Sequence, residues 1–485
     1  MNYKLIFRII GMIMLIEAIF MLVPTIICYA DDDIVAGNSF AVTALGLILI
    51  GAVAVFLTQK RKTDFYAHEG FAVTSLSWII MSVAGALPFT LSGEIPSFID
   101  ALFETISGFT TTGATILTDV EVLPRGLLYW RSFTNWLGGM GVLVFLLSLI
   151  PAVSKSNGSN MYIMSAESSG PSVGKLTPKL KDTLTITYGL YIAMTILCFI
   201  VLVIGKMPVF DAVCAALSTA GTGGFAIKND SFASCSPFLQ NTITVFMLLF
   251  SVSFNIYGLM VFRRFKEAVK DEEFRIFWIV VVSAIILISV DTRGLFSSWE
   301  ETIRHSAFQV GTVMSTTGFA SYNFDTWPSF SKGILFILMF FGGCAGSTAG
   351  GLKMSRAIII IKNLFREISK ILHPHKVKVV KISNKPVSEQ VISTTMAYLA
   401  AYCALMIISF IIISLDGYSI ATNISGVVAC FNNIGPGFEA VGPVCNFSGF
   451  SNASKIVFSI DMLLGRLEIF PIIMLFNKDA WSRKL

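Results

Sequence analysis

The sequence is short of charged residues. Only 13% of its 485 residues are Asp, Glu, Lys or Arg, whereas 54% are hydrophobic. Because soluble domains usually carry about 25% charged residues, this composition argues against a soluble protein. It indicates a polytopic membrane protein, and its 41 Phe residues suit lipid-facing helices.

Residue types that bind metals or catalyse reactions are also scarce. The chain has four His, and its eight Cys include no Cys-x-x-Cys pair. It shows no Ser/His/Asp set, no paired-carboxylate motif and no metal-ligand spacing. The stretch from Gly346 to Lys353 lacks the Gly-Lys-Ser/Thr end of a phosphate loop, because Leu352 separates Gly351 from Lys353. We therefore predict neither an enzyme nor an organic cofactor in this chain.

Apolar runs long enough to cross a membrane follow one another along the chain. A transmembrane helix needs about 20 such residues, and the first two runs cover residues 5–29 and 38–58. Because the first run is too long for a secretion signal and contains Glu17, we predict a retained helix. Further runs cover residues 70–90, 130–151, 184–205, 238–262, 275–290, 331–372, 391–415 and 455–476.

The distribution of basic residues sets the predicted orientation. Segments on one side of the runs hold 26 of the 35 Lys and Arg residues, and segments on the other side hold seven. Basic segments remain in the cytoplasm, so we expect both termini there. The net charge of +5 follows this topology, and we predict no nucleic-acid partner.

A small polar segment centred on glycine recurs four times between the runs. One copy alone would be an ordinary turn, but four copies, each between a short amphipathic segment and a full span, indicate a repeated unit. Before the first copy, Ser97 or Asp100 can cap a short half-helix. The copies are residues 106–115, 218–225, 315–320 and 432–438, and their central glycines, Gly113, Gly221, Gly318 and Gly435, lie 108, 97 and 117 residues apart.

The repeated order of span, half-helix, polar loop and span predicts the fold. We expect an all-α polytopic membrane protein, with four pseudo-symmetric repeats of helix, re-entrant pore helix and loop, and helix around a central pore. Two transmembrane helices precede the repeats. The predicted boundaries are 1–66 for the N-terminal extension and 67–155, 180–265, 272–375 and 388–485 for the repeats.

The loops suit a cation filter. A cation entering a narrow pore must replace its hydration shell, and rings of backbone carbonyls do this in potassium channels. Glycine allows the backbone angles that turn carbonyls inward, and small neighbours let four strands meet. The predicted filter residues are Thr111, Thr112, Gly113, Thr219, Ala220, Gly221, Thr316, Thr317, Gly318, Asn433, Ile434 and Gly435.

The third repeat contains an interruption at residues 342–351, where five of ten residues are glycine. Such a segment cannot sustain a regular helix, and non-helical backbone at membrane depth must be buried in protein or line a water-filled cavity. We expect a flexible loop beneath the pore. The predicted gating residues in and beside it are Gly346, Gly350, Gly351 and Lys353.

Arg466 lies inside the last apolar run, where a charge costs about 2.5 kcal/mol or more. One interpretation is a buried pair with Glu468 or Asp461, or a place nearer the cytoplasmic mouth. The other is an arginine that faces the pore below the filter, repels cations and acts with the 342–351 loop as a gate.

Together these residues resemble the TrkH/KtrB/HKT superfamily of potassium transporters, most closely its TrkH-type subunits. The resemblance rests on the four loops, the interruption at 342–351 and residues 464–468, and it covers essentially the whole chain. It implies potassium uptake in the bacterial cytoplasmic membrane, a homodimer with one pore per subunit, and a cytosolic TrkA-type nucleotide-binding ring as regulator. It also implies that a glycine in the first loop, here Gly113, accompanies potassium preference, and it favours the gating interpretation of Arg466.

Alternatives remain open within and beyond this family. The fourth loop, Asn433-Ile434-Gly435-Pro436, departs most from the Thr-Gly form, so we expect looser selectivity than in a strictly fourfold channel. A sodium- or mixed-cation-conducting member of the fold and a non-conducting membrane scaffold are the alternatives. The nine basic residues between 353 and 390 either bind membrane lipid or a partner, or only set the topology.

Overall fold

The computed structural model describes residues 3–58, 67–139, 141, 180–375 and 377–477. In these ranges the chain is helical apart from its loops and one two-stranded hairpin, so the all-α prediction is confirmed. The end of the predicted span 130–151 lies outside the described residues.

The helices follow the predicted order of an N-terminal extension and four repeats. The extension holds α1 (Tyr3–Phe20), α2 (Leu22–Ala30) and α3 (Ile34–Leu57). The first repeat holds α4 (Ala67–Ser92), α5 (Phe98–Phe109) and α6 (Arg125–Gly139), and the second α7 (Leu180–Ile204), α8 (Val209–Gly221), α9 (Pro237–Phe250) and α10 (Phe254–Val261).

The third and fourth repeats continue this order. The third holds α11 (Phe265–Lys270), α12 (Glu272–Asp291), α13 (Trp299–Met314), α14 (Ser329–Met339) and α15 (Met354–Leu372). A hairpin of β1 (Lys381–Ile382) and β2 (Lys385–Pro386), paired antiparallel, leads to the fourth repeat. That repeat holds α16 (Glu389–Ile413), α17 (Ile420–Phe431), α18 (Asn452–Arg466) and α19 (Phe470–Phe476).

Six described stretches are long and apolar enough to cross a membrane. They begin and end at Tyr3–Ala30, Ile34–Leu57, Glu69–Ser92, Thr183–Ile204, Glu272–Asp291 and Glu389–Asp416. The first two form the extension, and each of the others is the first long helix of a repeat.

The extension is packed through glycine. A Cβ atom on Gly11 would lie 2.9 Å from the carbonyl oxygen of Gly51, and one on Gly51 would lie 2.8 Å from that of Gly11. Small residues let transmembrane helices approach this closely, so α1 and α3 form a tight pair beside the repeats.

Each repeat then has a half-helix too short to cross a membrane. Of the two predicted caps of α5, the structure uses Ser97, whose hydroxyl accepts a hydrogen bond from the amide of Asp100. Ser298 and Ser419 cap α13 and α17 in the same way. The second half-helix, α8, starts instead after Pro208, without a side-chain cap.

In the second and fourth repeats the second long segment is broken, which corrects two predicted continuous spans. Residues 238–262 form two helices, α9 and α10, at 90° to each other. Residues 455–476 break after Arg466, because Glu468 and Ile469 have φ of 55° and 69°, which a helix cannot accommodate. The predicted break in the third repeat extends from residue 340 to residue 353.

Candidate ion filter and gate

The four half-helices end in the same backbone motif. The residue that leaves each helix has a positive φ, and the amide of the next residue donates to the carbonyl five residues earlier, as in a Schellman motif. A positive φ is strained for the three β-branched threonines among these residues. The residues are Thr111 (φ 56°), Thr222 (53°), Thr316 (54°) and Asn433 (55°), and the amides are those of Thr112, Gly223, Thr317 and Ile434.

Two residues after each strained residue stands a glycine that also has a positive φ. Positive φ at alternate positions gives successive peptide groups a similar orientation, which is the arrangement that a carbonyl-lined filter needs. These glycines are Gly113 (φ 81°), Gly224 (76°), Gly318 (91°) and Gly435 (97°). We call them the four-glycine ring.

The loops touch in cyclic order, so the ring closes. A Cβ atom on each glycine would overlap a carbonyl oxygen of the next loop, and a side chain at any of these positions would displace the backbone. From such a Cβ atom to the carbonyl oxygen, the distances are 2.7 Å for Gly113 and Gly223, 2.0 Å for Gly224 and Thr317, 2.2 Å for Gly318 and Ile434, and 2.6 Å for Gly435 and Thr112.

One cavity of about 150 Å³ is lined by all four glycines of the ring. Its other lining residues belong to the segments that follow the loops, such as Thr115, Asn229 and Phe447. The cavity therefore lies on the C-terminal side of the loops and forms a mouth above the ring.

The structure corrects the register of the second loop by three residues. The predicted residues Thr219, Ala220 and Gly221 belong to the last turn of α8, and their counterparts in the ring are Thr222, Gly223 and Gly224. A glycine followed by phenylalanine occurs in both the second and third loops, and aligning on that pair would have given the correct register. The predicted residues of the other three loops occupy equivalent positions.

The four quadrants differ in their side chains. In the first loop the hydroxyls of Thr110 and Thr112 are 2.8 Å apart, and in the third those of Ser315 and Thr317 are 2.5 Å apart. In the second loop both positions are glycine, and the side chain of Asn135 from α6 fills the space, 2.2 Å from where a Cβ atom of Gly223 would stand. The backbone of the ring therefore repeats in all four loops, whereas a pair of hydroxyl groups occurs only in the first and third.

The fourth loop has a bond across the quadrant boundary. The side-chain amide of Asn433 donates to the hydroxyl of Thr112 at 3.0 Å and to the carbonyl of Met462 at 2.9 Å. Asn433 thus joins the first and fourth loops and fixes both to α18.

A buried ion pair holds the first and second loops from behind. The side chains of Glu104 and Arg131 are 0% and 3% exposed, and Arg131 Nη2 lies 2.8 Å from Glu104 Oε1. Glu104 also accepts from Thr115 and from the amide of Ile116, while Arg131 donates to the carbonyl of Ala226. No sequence pattern predicts this pair, because Glu104 and Arg131 are 27 residues apart and meet only through the packing of α5 against α6.

At the mouth, Asn229 connects the segment after the second loop to the segment after the first. Its side chain donates to Asp119 at 2.8 Å and accepts from the amide of Val120 at 2.8 Å. The hydrogen bond from Asn229 lowers the pKa of Asp119 below its ordinary value, so the carboxylate stays ionised. Asp119 and Glu121 stand beside the lined cavity rather than in its lining.

Residues 340–353 between α14 and α15, which we call the Gly-rich loop, lie against the N-terminal side of the ring. The amide of Gly350 donates to the hydroxyl of Thr316 at 2.7 Å. A Cβ atom on Gly350 would lie 2.8 Å from the Cβ of Asn433, and one on Gly351 would lie 3.3 Å from Asn432 Oδ1. The loop thus contacts two quadrants opposite the mouth.

The break between α9 and α10 receives the Gly-rich loop. The amide of Cys344 donates to the carbonyl of Ser251 at 2.9 Å, and the amide of Phe254 donates to the carbonyl of Gly346 at 3.0 Å. The hydroxyl of Thr348 donates to the carbonyl of Phe250 at 3.1 Å. The break in the second repeat therefore supplies the backbone groups that hold the interruption in the third.

Arg466 connects the Gly-rich loop to the first repeat. Its guanidinium donates to the carbonyl of Thr348 at 2.8 Å, and to those of Gly138 and Gly139 at 2.5 and 2.8 Å. Arg466 leaves α18 at its C-terminal end, where a positive charge is favourable. Three carbonyls from two repeats thus hold the positively charged guanidinium of Arg466 beside the loop.

The side chains considered as partners of Arg466 make other contacts. Glu468 forms an ion pair with Arg356, and Asp461 accepts from the hydroxyl of Ser409 at 2.7 Å. Lys353, a predicted gating residue, donates through its ammonium to the carbonyl of Ala349 and so folds back on the Gly-rich loop.

Comparisons with known proteins agree with this architecture. Residues 36–484 match the protein family described as TrkH, cation transport protein. The chain is 31% identical to the Trk system potassium uptake protein TrkH of Salmonella typhimurium, over 99% of this chain and 100% of that protein. It is 33% identical to the Trk system potassium uptake protein TrkG of Escherichia coli, over 91% of each. The crystal structure of the potassium transporter TrkH from Vibrio parahaemolyticus is similar with a TM-score of 0.87 and 28% identity, over 99% of this chain and 100% of that one.

Proposed function

The chain belongs to the TrkH family of cation transport proteins, and from this premise we propose that it takes up potassium ions across the bacterial cytoplasmic membrane. Membership of a transport family also confirms that the chain is a transporter rather than an enzyme. The observation that carries the proposal is the closed four-glycine ring, in which each glycine touches a carbonyl of the next loop. The relatives named as potassium uptake proteins favour potassium as the ion.

The proposed filter works by replacing water with backbone oxygens. A potassium ion from the mouth exchanges its hydration shell for carbonyls of the ring, as ions do in carbonyl-lined filters. The Schellman bonds and the Glu104–Arg131 pair hold these carbonyls in place, so that little reorganisation is needed when the ion arrives. The filter residues are those predicted, with Thr222, Gly223 and Gly224 in the second loop.

We assign the gate to the Gly-rich loop and Arg466. Gly350 bonds to Thr316 of the filter loop, and Arg466 bonds to Thr348 of the same Gly-rich loop. The positive charge beside the ring opposes a passing cation, and movement of the loop with Arg466 opens the path. Gly346 and Gly351, with φ of 74° and 67°, give the loop turns that other residues resist.

The assembly around this pore is part of the proposal. We infer a homodimer with one pore per subunit, set among membrane lipid, with both termini in the cytoplasm and the predicted repeat boundaries. The relatives' names place them in a Trk system, which supports a second component. We assign that role to a cytosolic TrkA-like nucleotide-binding ring that acts on the Gly-rich loop.

A second candidate keeps the pore and changes the ion. The second loop lacks the hydroxyl pair of the first and third, and the fourth places Asn433 and Ile434 where the third has Thr316 and Thr317. These departures favour a filter that also conducts sodium. The two functions differ in the ratio of potassium to sodium flux.

A flux assay on the purified full chain tests the proposal. Proteoliposomes are loaded with potassium, and uptake of radioactive rubidium is measured with and without competing potassium or sodium outside. We expect uptake that potassium suppresses at lower concentration than sodium does. Equal suppression would favour the mixed-cation alternative, and absence of uptake with and without a TrkA-like ring would favour a non-conducting scaffold.

A further inference from the structure

A buried carboxylate from another helix holds the Gly-rich loop. Glu273, in the first turn of α12, is 4% exposed. Its Oε1 atom accepts from the amide of Ala345 at 2.8 Å and from the amide of Ser355 at 2.9 Å. Ala345 belongs to the Gly-rich loop and Ser355 to the first turn of α15, so one oxygen atom joins the loop to the helix that follows it.

Glu273 is not needed to cap its own helix. The side chain of Asp271 does so by accepting from the amide of Phe274 at 3.0 Å. The helix α15 starts without a side-chain cap from Lys353, so the amide of Ser355 depends on Glu273. Both hydrogen bonds that Glu273 accepts are buried, and movement of the loop away from α12 breaks them.

The residues next to Glu273 connect it to the cytosolic hairpin of β1 and β2. The amide of Glu272 donates to the hydroxyl of Ser383, and the amide of Ser383 donates back to Glu272 Oε2, both at 3.0 Å. Lys362 of α15 lies 2.5 Å from Glu272 Oε1 and donates to the carbonyl of Lys381. The hairpin, the start of α12 and α15 therefore form one hydrogen-bonded unit.

We propose that Glu273 is a positioning residue that keeps the Gly-rich loop against the ring, and that the hairpin is the surface through which a cytosolic protein releases it. Lys381 and Lys385 are exposed on the hairpin, so the surface fits a partner with an acidic face. A pull on the hairpin shifts Asp271 and Glu272, and with them the carboxylate that holds Ala345 and Ser355. This inference rests on the proposed gating role of the loop.

The test reads the loop directly and separately from transport. Cys344 lies next to Ala345 and is 1% exposed, so its alkylation by N-ethylmaleimide, measured by peptide mass spectrometry on the full chain, reports release of the loop. Glu273→Ala removes both bonds, and Glu273→Gln keeps an acceptor oxygen without the charge. Glu267→Ala is the matched control, because Glu267 is an exposed acid near the same turn, paired with Arg264.

We expect Glu273→Ala to raise the alkylation rate of Cys344 about tenfold or more, since the loss of two buried hydrogen bonds changes an equilibrium by about that factor. Glu273→Gln should give a smaller rise and Glu267→Ala none, which a general loss of folding would not reproduce. Ser383→Ala should also raise the rate, and an unchanged rate there would overturn the role of the hairpin.

Rubidium flux of the same variants separates this inference from the proposed function. Faster alkylation with faster flux supports both. Faster alkylation without any change in flux supports the hold of Glu273 on the loop and contradicts the gate. A Cys344 rate in Glu273→Ala equal to wild type overturns the inference, whatever the flux.

Discussion

The ring and the layer beneath it are built in opposite ways. In the ring, four loops repeat similar positive φ values, the same amide-to-carbonyl bond and the same contact with the next loop. Beneath it, each repeat contributes something different: carbonyls at the end of α6, the break between α9 and α10, the Gly-rich loop, and Arg466. Repetition suits a site that must surround an ion evenly, whereas a gate needs parts that move relative to one another.

Backbone strain also differs between the ring and the layer beneath it. Three threonines at positive φ sit in the ring, where neighbouring loops fix them on every side, and all three are fully buried. The Gly-rich loop uses glycine at its positive-φ positions and is held mainly by hydrogen bonds to groups of other repeats. We therefore expect substitutions of the ring glycines to abolish transport and substitutions below the ring to change its control.

The largest effect is expected for Gly224→Ala. The new methyl group would stand 2.0 Å from the carbonyl oxygen of Thr317, and the left-handed backbone adds about 1–2 kcal/mol of strain. Rubidium flux should fall by about a hundredfold or more, because the carbonyl must leave the ring. Gly189→Ala is the control, since a Cβ atom there meets nothing within 4 Å.

The corrected register can be tested in the same assay. Thr219 lies in α8, and its hydroxyl donates to the carbonyl of Ala215 at 2.7 Å. Thr219→Val should therefore leave flux and the potassium to sodium ratio close to wild type. A loss of selectivity in Thr219→Val with normal flux in Gly224→Ala would restore the register centred on Gly221.

Next in size is the effect of breaking the buried pair behind the ring. Glu104→Gln leaves Arg131 buried without its charged partner, which typically costs about 3–5 kcal/mol. The thermal unfolding midpoint in detergent should drop, and flux should fall because a free positive charge then stands at the mouth. The double variant Glu104→Gln with Arg131→Gln should recover part of both losses, and no recovery would show that the pair does not act as a unit.

Below the ring, Arg466→Gln should change control rather than permeation. The glutamine amide carries no charge and cannot reach all three carbonyls. The Gly-rich loop therefore loses a hydrogen bond that holds it, and the positive charge that opposes a passing cation is removed. We expect rubidium flux without a regulatory ring to rise by about tenfold, as the loss of charged hydrogen bonds allows. Arg466→Lys, which keeps the charge, should show a smaller rise, and reduced flux in Arg466→Gln would contradict the gating role.

The smallest effect is expected at the contact between the two layers. Thr316→Val removes the acceptor of the Gly350 amide while keeping the β-branched shape, and an unsatisfied buried amide costs about 1–3 kcal/mol. Unregulated flux should rise a few-fold with little change in the potassium to sodium ratio. Thr317→Val is the contrasting variant, because its hydroxyl pairs with Ser315 within the ring and its loss should alter the ratio instead.

The parts that repeat could be predicted from the sequence. The four loops, the short half-helices and the interruption at 342–351 follow from composition and spacing, and Ser97 was one of two predicted caps. The second loop was misaligned because three glycines stand within Gly221-Thr222-Gly223-Gly224, and residue type alone does not show which adopts a positive φ.

The parts that do not repeat were harder to predict. The break between α9 and α10 falls in Ser251-Val252-Ser253, which lacks glycine and proline, so no residue type there predicts it. Its physical reason is that carbonyls freed by the break accept hydrogen bonds from the Gly-rich loop. Glu104 and Arg131 meet because the half-helix and α6 pack side by side, a tertiary contact without a local signal. The partners of Arg466 are backbone carbonyls, which no side-chain pattern reveals.

The most direct measurement locates the ion. Anomalous scattering from crystals of the full chain grown with thallium, a potassium substitute, shows where a monovalent cation binds. We predict a peak inside the ring, surrounded by the carbonyls of Thr112, Gly223, Thr317 and Ile434, that is absent in Gly224→Ala. A peak elsewhere in the wild-type protein, or the same ring peak in Gly224→Ala, would contradict the filter.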